Sequence, residues 1–375
     1  MKTGGLGVGV QGVNHASDMY TYEEGVLLSS YCLERNLEAM LDLWRKVLCS
    51  VTFADKGRLK TLVNDMASDL VNGVVQSGHR YAVLSAGSLI NPLAKYQEIS
   101  AGLTHINVMK ELAGSDDIEP LLAKMQHIAQ RTFVSDNIRI AVNCMPESVK
   151  EAESKLSSFL KSIPGTSNSQ PKVWTNNEPI IVTNQPGVHH ILPLSVNFAA
   201  KSIVTVPYSH PDHAVLQVMS KLLSSKYLHP NIREKGGAYG SGVGVNQSGL
   251  LNFFSYRDPN TTATLDIFDN SFNWIMKNEF SDKEIDESKL GIFQGLDAPV
   301  APGSRGNLQF VNHVTYDMLQ ECRLRVKSVS RDKIIEVASK YLNPENKCVT
   351  ARTLIGPENK ETLSRAGESW KSISY

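Results

Sequence analysis

The chain has no excess of charge of either sign, no run of apolar residues approaching the ~20 needed to span a bilayer, and few aromatic residues (7%). Lysine plus arginine (38) balance aspartate plus glutamate (38). There is therefore no basic surplus to neutralise a phosphate backbone or an anionic membrane, and neither a nucleic-acid nor a membrane partner is expected. The five cysteines, Cys32, Cys49, Cys144, Cys322 and Cys348, are scattered and never form a CxxC pair. That excludes a thiolate zinc motif, argues against a disulfide framework, and suits buried small hydrophobes in a reducing compartment. HExxH and its inversion HxxEH are both missing, as are a convincing GxSxG elbow and a GxxxxGK[ST] phosphate loop. The first residues, MKTGGLGVGVQG, lack a signal-peptide core and an arginine-rich transit helix. The expectation is a cytosolic chain, or one whose address lies on a segment not present here.

What is present is the make-up of a folded protein: 375 residues, 41% hydrophobic and 20% charged, enough for two or three domains. One plan is used twice. GGLGVGVQG (Gly4 to Gly12), a strand-like run ending SSYCLERN (Ser29 to Asn36), a helix with Trp44, TFADK (Thr52 to Lys56) and a second helix make the first copy. GGAYGSGVGVNQSG (Gly236 to Gly249), FFSYRDPN (Phe253 to Asn260), a helix with Trp274, EFSDK (Glu279 to Lys283) and a further helix make the second. Each copy is expected to close on a β-rich run reaching Pro-Glu, IRIAVNCMPE (Ile138 to Glu147) and CVTARTLIGPE (Cys348 to Glu358).

The unperiodic, Pro/Ser/Asn-rich stretch IPGTSNSQPKVWTNNEP (Ile163 to Pro179) reads as a linker. It divides the chain into a first domain over 1–163, a linker over 164–180 and a second domain over 181–375. Alternation in LPLSVNFAAKSIVTV (Leu192 to Val206) suits strands, while Arg58 to Val75 and Asp332 to Leu342 carry helical periodicity. Residues 77–131 read as a helical insertion that lengthens the first copy. Strands and helices mix without strict alternation, so the fold class is α+β: two tandem, duplicated domains, each a mainly antiparallel sheet with helices packed on one face.

Histidines offer little. His189 and His190 are adjacent and would point to opposite faces of a strand. His210 and His213 could share a helical face, but Pro211 suits a first turn, and Ser209 with Asp212 reads as a capping box. The constellation of interest is Val215 to Gly242. A helix there places Val215, Val218, Met219 and Leu222 on one stripe, and Pro230 is expected to break it. Arg233 and Tyr239 then flank the Gly236-Gly237 pair. A guanidinium fork and a phenol beside a glycine turn can bind peptide carbonyls or a developing oxyanion. From the residues alone, an ordinary surface arginine and strand tyrosine explain the pattern as well.

TVPYSHPDHA (Thr205 to Ala214), KYLHPNIREKGGAYGSG (Lys226 to Gly242), YRDPN (Tyr256 to Asn260) and LDAPVAPG (Leu296 to Gly303), with KTGG, TYEEGVLLSS and the closing LIGPEN, resemble the C-terminal part of the presequence protease family. These are mitochondrial zinc peptidases of the pitrilysin/insulysin superfamily. The resemblance covers essentially the whole chain. It implies a peptidase of four related α+β domains, closing around a chamber that admits unfolded peptides such as cleaved targeting sequences. Zinc and the glutamate base lie in the N-terminal half of such enzymes. This chain would supply Arg233 and Tyr239 for substrate positioning and oxyanion stabilisation, with Gly236, Gly237 and Ala238 along the substrate. It would hold no zinc and be inactive alone, and KTGG would fall inside the third domain, after its first strands. The implied partners are unfolded peptides and the zinc-bearing half, in cis or in trans, and the implied place is the mitochondrial matrix. A non-catalytic partner subunit and a peptide-binding scaffold remain alternatives.

Overall fold

The computed structural model describes residues 3–52, 55–165, 175–177, 180, 186–359 and 369–375. Most of the expected linker lies outside the described residues. The first copy opens with the antiparallel hairpin β1 (Leu6–His15) and β2 (Asp18–Ser30), joined on its β2 side by the two-residue β3 (Thr175–Asn176). Asp18 fixes the hairpin turn, its carboxylate accepting from Thr21 Oγ1 and the Tyr20 N–H, which together hold its pKa below the usual value. Five helices follow: α1 (Leu37–Cys49), α2 (Lys56–Ser88), α3 (Pro92–Ala101), α4 (Leu103–Gly114) and α5 (Glu119–Thr132), then α6 (Val149–Lys161).

The second copy carries β4 (Pro186–Ile191), β5 (Phe198–Val204), α7 (Pro211–Leu223), a π-helix (Ser224–Lys235), β6 (Gly240–Val245) and β7 (Leu250–Tyr256). Helices α8 (Thr262–Asp269), α9 (Ser271–Lys277), α10 (Asp282–Leu296), α11 (Asn307–Asn312), α12 (Tyr316–Lys327) and α13 (Arg331–Tyr341) precede β8 (Thr350–Gly356) and β9 (Ser369–Ser374). The six strands order as β6-β7-β5-β8-β4-β9, antiparallel from β6 to β8 and parallel where β4 meets β8 and β9. The α+β class is present, and the copies share part of their element order, although the second has α8 ahead of its tryptophan helix and, among the described residues, the first lacks a closing strand. In each copy a hairpin leads to a tryptophan-bearing helix and then to a side-chain-capped one. Asp55 accepts from the Arg58 N–H at the start of α2, and Ser281 forms a capping box with Glu284 at the start of α10.

Alternate residues of the central strands serve two cores. Ala199, Ile203, Leu251, Phe253 and Leu354 face α7 and the second copy's own helices. Phe198, Ala200 and Ile355 face the other way, onto Val74, Ala82 and Ala86 of α2 and onto α4. Helix α2, from the first copy, thus covers the second face of the six-stranded sheet. It kinks at Ser77 (φ −133°, ψ 31°), and Gly78 lets it lie directly on Phe198. Under β4, His190 Nε2 lies 2.8 Å from Ser85 Oγ of α2 and its Nδ1 lies 2.8 Å from the Tyr375 hydroxyl.

Four local expectations need correction. Residues 138–147 form no strand: 3₁₀ turns flank an extended, exposed segment. Its counterpart β8 is a strand because β5 and β4 pair with its two edges, whereas no described strand lies beside 138–145. Pro230 does not end the helix, because the wider π-helical turn carries the backbone through it as far as Lys235. The cap of α7 is His210, whose Nδ1 accepts from the Asp212 N–H, while Ser209 bonds Ser17 instead. Of the cysteines only Cys322 is buried, and Cys49 and Cys144 are exposed.

Candidate functional site

Helix α7 buries Val215, Val218, Met219 and Leu222 as a continuous stripe, which anchors the π-helix that extends it. That helix buries Leu228 and Ile232 and so turns Arg233 outward into solvent in its last turn. π-helical turns are rare and often sit at functional sites. The helix ends in a left-handed glycine cap, with the Gly237 N–H donating to the Arg233 carbonyl (3.0 Å) and the Ala238 N–H to the Ile232 carbonyl (3.0 Å). Gly237 adopts φ +79°, and a Cβ on Gly236 would lie 2.6 Å from the Ile232 oxygen. Both positions therefore require glycine. Ala238 is buried, and its N–H and that of Gly237 are engaged within the turn, so these two donors face the protein and not a ligand.

Tyr239 follows at 65% exposure. Its N–H donates to the carbonyls of Tyr256 (3.1 Å) and Arg257 (3.3 Å), and its ring meets the Tyr256 ring edge-on at 5.5 Å. The Arg233 guanidinium stacks over the Tyr239 ring at 5.5 Å. The turn is braced from behind by Asp258 and Asn260. Asn260 Nδ2 donates to the Gly236 carbonyl (2.7 Å), while the buried Asp258 carboxylate accepts from the Asn260 N–H (2.9 Å) and from Thr264 Oγ1 (2.7 Å). Tyr256 ties the site to the first copy, its hydroxyl donating to the Gln76 carbonyl (2.9 Å) that the kink in α2 exposes.

Arg233, Gly236, Gly237, Ala238 and Tyr239 thus come together as one surface feature. Asp258, Asn260 and Tyr256 have no assigned role in the sequence pattern, although YRDPN carries a signal: Asp-Pro-Asn is an Asx-turn pattern. Two histidines border the site: His79 meets the Tyr256 ring edge-on at 4.9 Å, and His229 of the π-helix lies 3.2 Å from Glu234, next to Arg233. His190 and His213 are buried, and burial pushes each down to about 4. His189 is buried on the opposite face of β4 from His190. Among the described residues no three His, Cys, Asp or Glu side chains gather as a metal site.

Two family models match the chain: the associated region of peptidase M16, subfamily C, over residues 1–112, and the "PreP C-terminal domain" over residues 188–348. Mitochondrial presequence proteases of Mus musculus and Danio rerio are 35% and 36% identical over 96% and 99% of this chain. That of Schizosaccharomyces pombe is 35% identical over 96%. The chain spans a little over a third of their length, 36–38%. In fold it is similar to pitrilysin (TM-score 0.62, 13% identity, 99% of this chain and 38% of that one). It is also similar to a peptidase M16 inactive domain from Pseudomonas fluorescens (TM-score 0.59, 16% identity, 94% of this chain and 81% of that one).

The chain belongs to the pitrilysin-type, M16 peptidase family. Within that family its sequence matches the presequence proteases, of which it corresponds to a C-terminal region.

Proposed function

We propose that this chain is the substrate-holding half of a presequence-protease-type zinc metalloendopeptidase that degrades unfolded peptides, mitochondrial targeting peptides among them, in the mitochondrial matrix. The observation that supports it is the exposed Tyr239 phenol, fixed beside Arg233 on a turn that cannot relax. A phenol held this way donates a hydrogen bond to the oxyanion that forms when a peptide carbonyl is attacked. The guanidinium offers a planar fork to the neighbouring peptide carbonyls. Because the glycine turn is rigid, neither group needs to reorganise as charge develops.

Zinc does not fit this chain. HxxEH is absent from the sequence, and among the described residues no three His, Cys, Asp or Glu side chains converge. The metal belongs to the N-terminal half of the complete enzyme, which is the partner in cis. The division into domains over 1–163 and 181–375 belongs to the same reading.

In a second arrangement the zinc-bearing half is a separate chain acting in trans. The test is direct. The metal-loaded chain leaves a quenched fluorescent peptide intact, and the same chain joined to or mixed with its zinc-bearing half cleaves it in a chelator-sensitive manner. Chelator-sensitive cleavage by the isolated chain would overturn the assignment.

A further inference from the structure

Four non-glycine residues among those described have positive φ: Arg257 (49°), Asn278 (55°), His313 (56°) and Lys347 (49°). Asn278, His313 and Lys347 each close a helix at its C-cap, where the left-handed conformation is ordinary. Arg257 closes no helix. It follows β7, and the strand register explains its backbone. Strands β5 and β7 pair through Ala200 and Phe254, and then Asn197 pairs with Asp258, one residue out of step. That offset is a β-bulge, a device that re-aims side chains and is frequent beside active sites.

The bulge has two consequences at the site. The carbonyls of Tyr256 and Arg257 turn toward the Tyr239 N–H, which donates to both. The Arg257 guanidinium lies over the Tyr256 ring, 5.5 Å from its centre. Four side chains therefore run in sequence: Arg233 stacked on Tyr239, Tyr239 edge-on to Tyr256, and Tyr256 beneath Arg257. Both guanidinia are exposed, and neither has a carboxylate partner among the described residues. Arginine is a poor choice for a left-handed backbone that Gly or Asn adopts easily, and strain of this kind tends to persist where a side chain has a task. An unpaired guanidinium on an aromatic face is suited to a carboxylate.

We propose that Arg257 is a specificity-determining residue of this site, a second guanidinium that binds a carboxylate of the peptide while Arg233 and Tyr239 engage its backbone. The inference rests on the reading of the Arg233–Tyr239 pair given above. The carboxylate comes either from an Asp or Glu side chain or from the peptide's C-terminus, and matched peptides separate the two.

The experiment uses the complete polypeptide that carries this chain, with peptides differing only as Glu against Gln or as free acid against amide. The expected result is a preference of about tenfold for one carboxylate form, carried by KM and not by kcat. In Arg257→Asn, which suits the left-handed backbone, the preference is expected to fall to about one while the thermal midpoint is held or raised. Fluorescence anisotropy on the same peptides reads the preference where turnover is not observed. A preference that survives Arg257→Asn, no preference in the unsubstituted protein, or a lowered midpoint in Arg257→Asn would each overturn the proposal. If instead Arg233→Ala and Tyr239→Phe leave kcat/KM unchanged, the reading of that pair fails, whatever the peptides report about Arg257.

Discussion

The Arg233 guanidinium lies over the ring of Tyr239, 5.5 Å from its centre, although the two residues sit on opposite sides of the Gly236-Gly237 turn. Stacking needs a flat cation, and lysine presents a point charge instead. In the complete enzyme Arg233→Lys is therefore expected to lower kcat/KM by about tenfold, and Arg233→Ala by more. Equal kcat/KM for all three forms, measured on one peptide, would contradict a working pair.

Glycines in two helices give opposite expectations. A Cβ on Gly78 would lie 2.4 Å from the Phe198 ring, which is fully buried and has nowhere to move. Gly78→Ala is expected to destabilise by about 1–3 kcal/mol, outweighing the ~1 kcal/mol that alanine gains in a helix. In α10 a Cβ on Gly291 meets only Cδ of the Lys221 side chain, at an ordinary 3.9 Å. Gly291→Ala should raise stability by about 0.5–1 kcal/mol. Denaturant titration of the pair reads both signs.

His190 is buried between β4, α2 and Tyr375, and burial, helped by neighbouring His189, pushes it down to about 4 from 6.5. Burial does the same to His213. A depressed histidine is neutral in the folded chain and takes up a proton on unfolding, so its stabilising contribution is complete above about pH 6.5 and is lost as pH falls toward 4. The thermal midpoint should rise between pH 4 and 6.5 and flatten above it. His190→Gln, which cannot titrate, should make that rise shallower by about one proton. An unchanged slope would show that His190 is solvated in the folded state.

How far the sequence could be read depended on whether a feature is local. The α7 stripe and the opposed His189 and His190 follow from spacing along one element, and both are present. The exposed segment 138–145 alternates like a strand but has no described strand beside it, and pairing is not a local property. Pro230 reads as a breaker because an α-helix cannot seat it, and nothing nearby announces a π-helix. The Arg257 bulge exists only as an offset between β5 and β7, so YRDPN could be recognised without revealing what its arginine does. Likewise, α2 is legible as a helix from its own periodicity, while its place across the second copy's sheet is set by Phe198, some 120 residues further along the chain.

The most direct measurement is kcat for Tyr239→Phe in the complete zinc-bearing enzyme, with the fold checked by thermal midpoint. Removing one hydroxyl from an exposed ring should leave the midpoint unchanged. If that hydroxyl donates to the oxyanion, kcat should fall by about 10²–10³ with little change in KM. A kcat equal to that of the unsubstituted enzyme would contradict the role assigned to Tyr239.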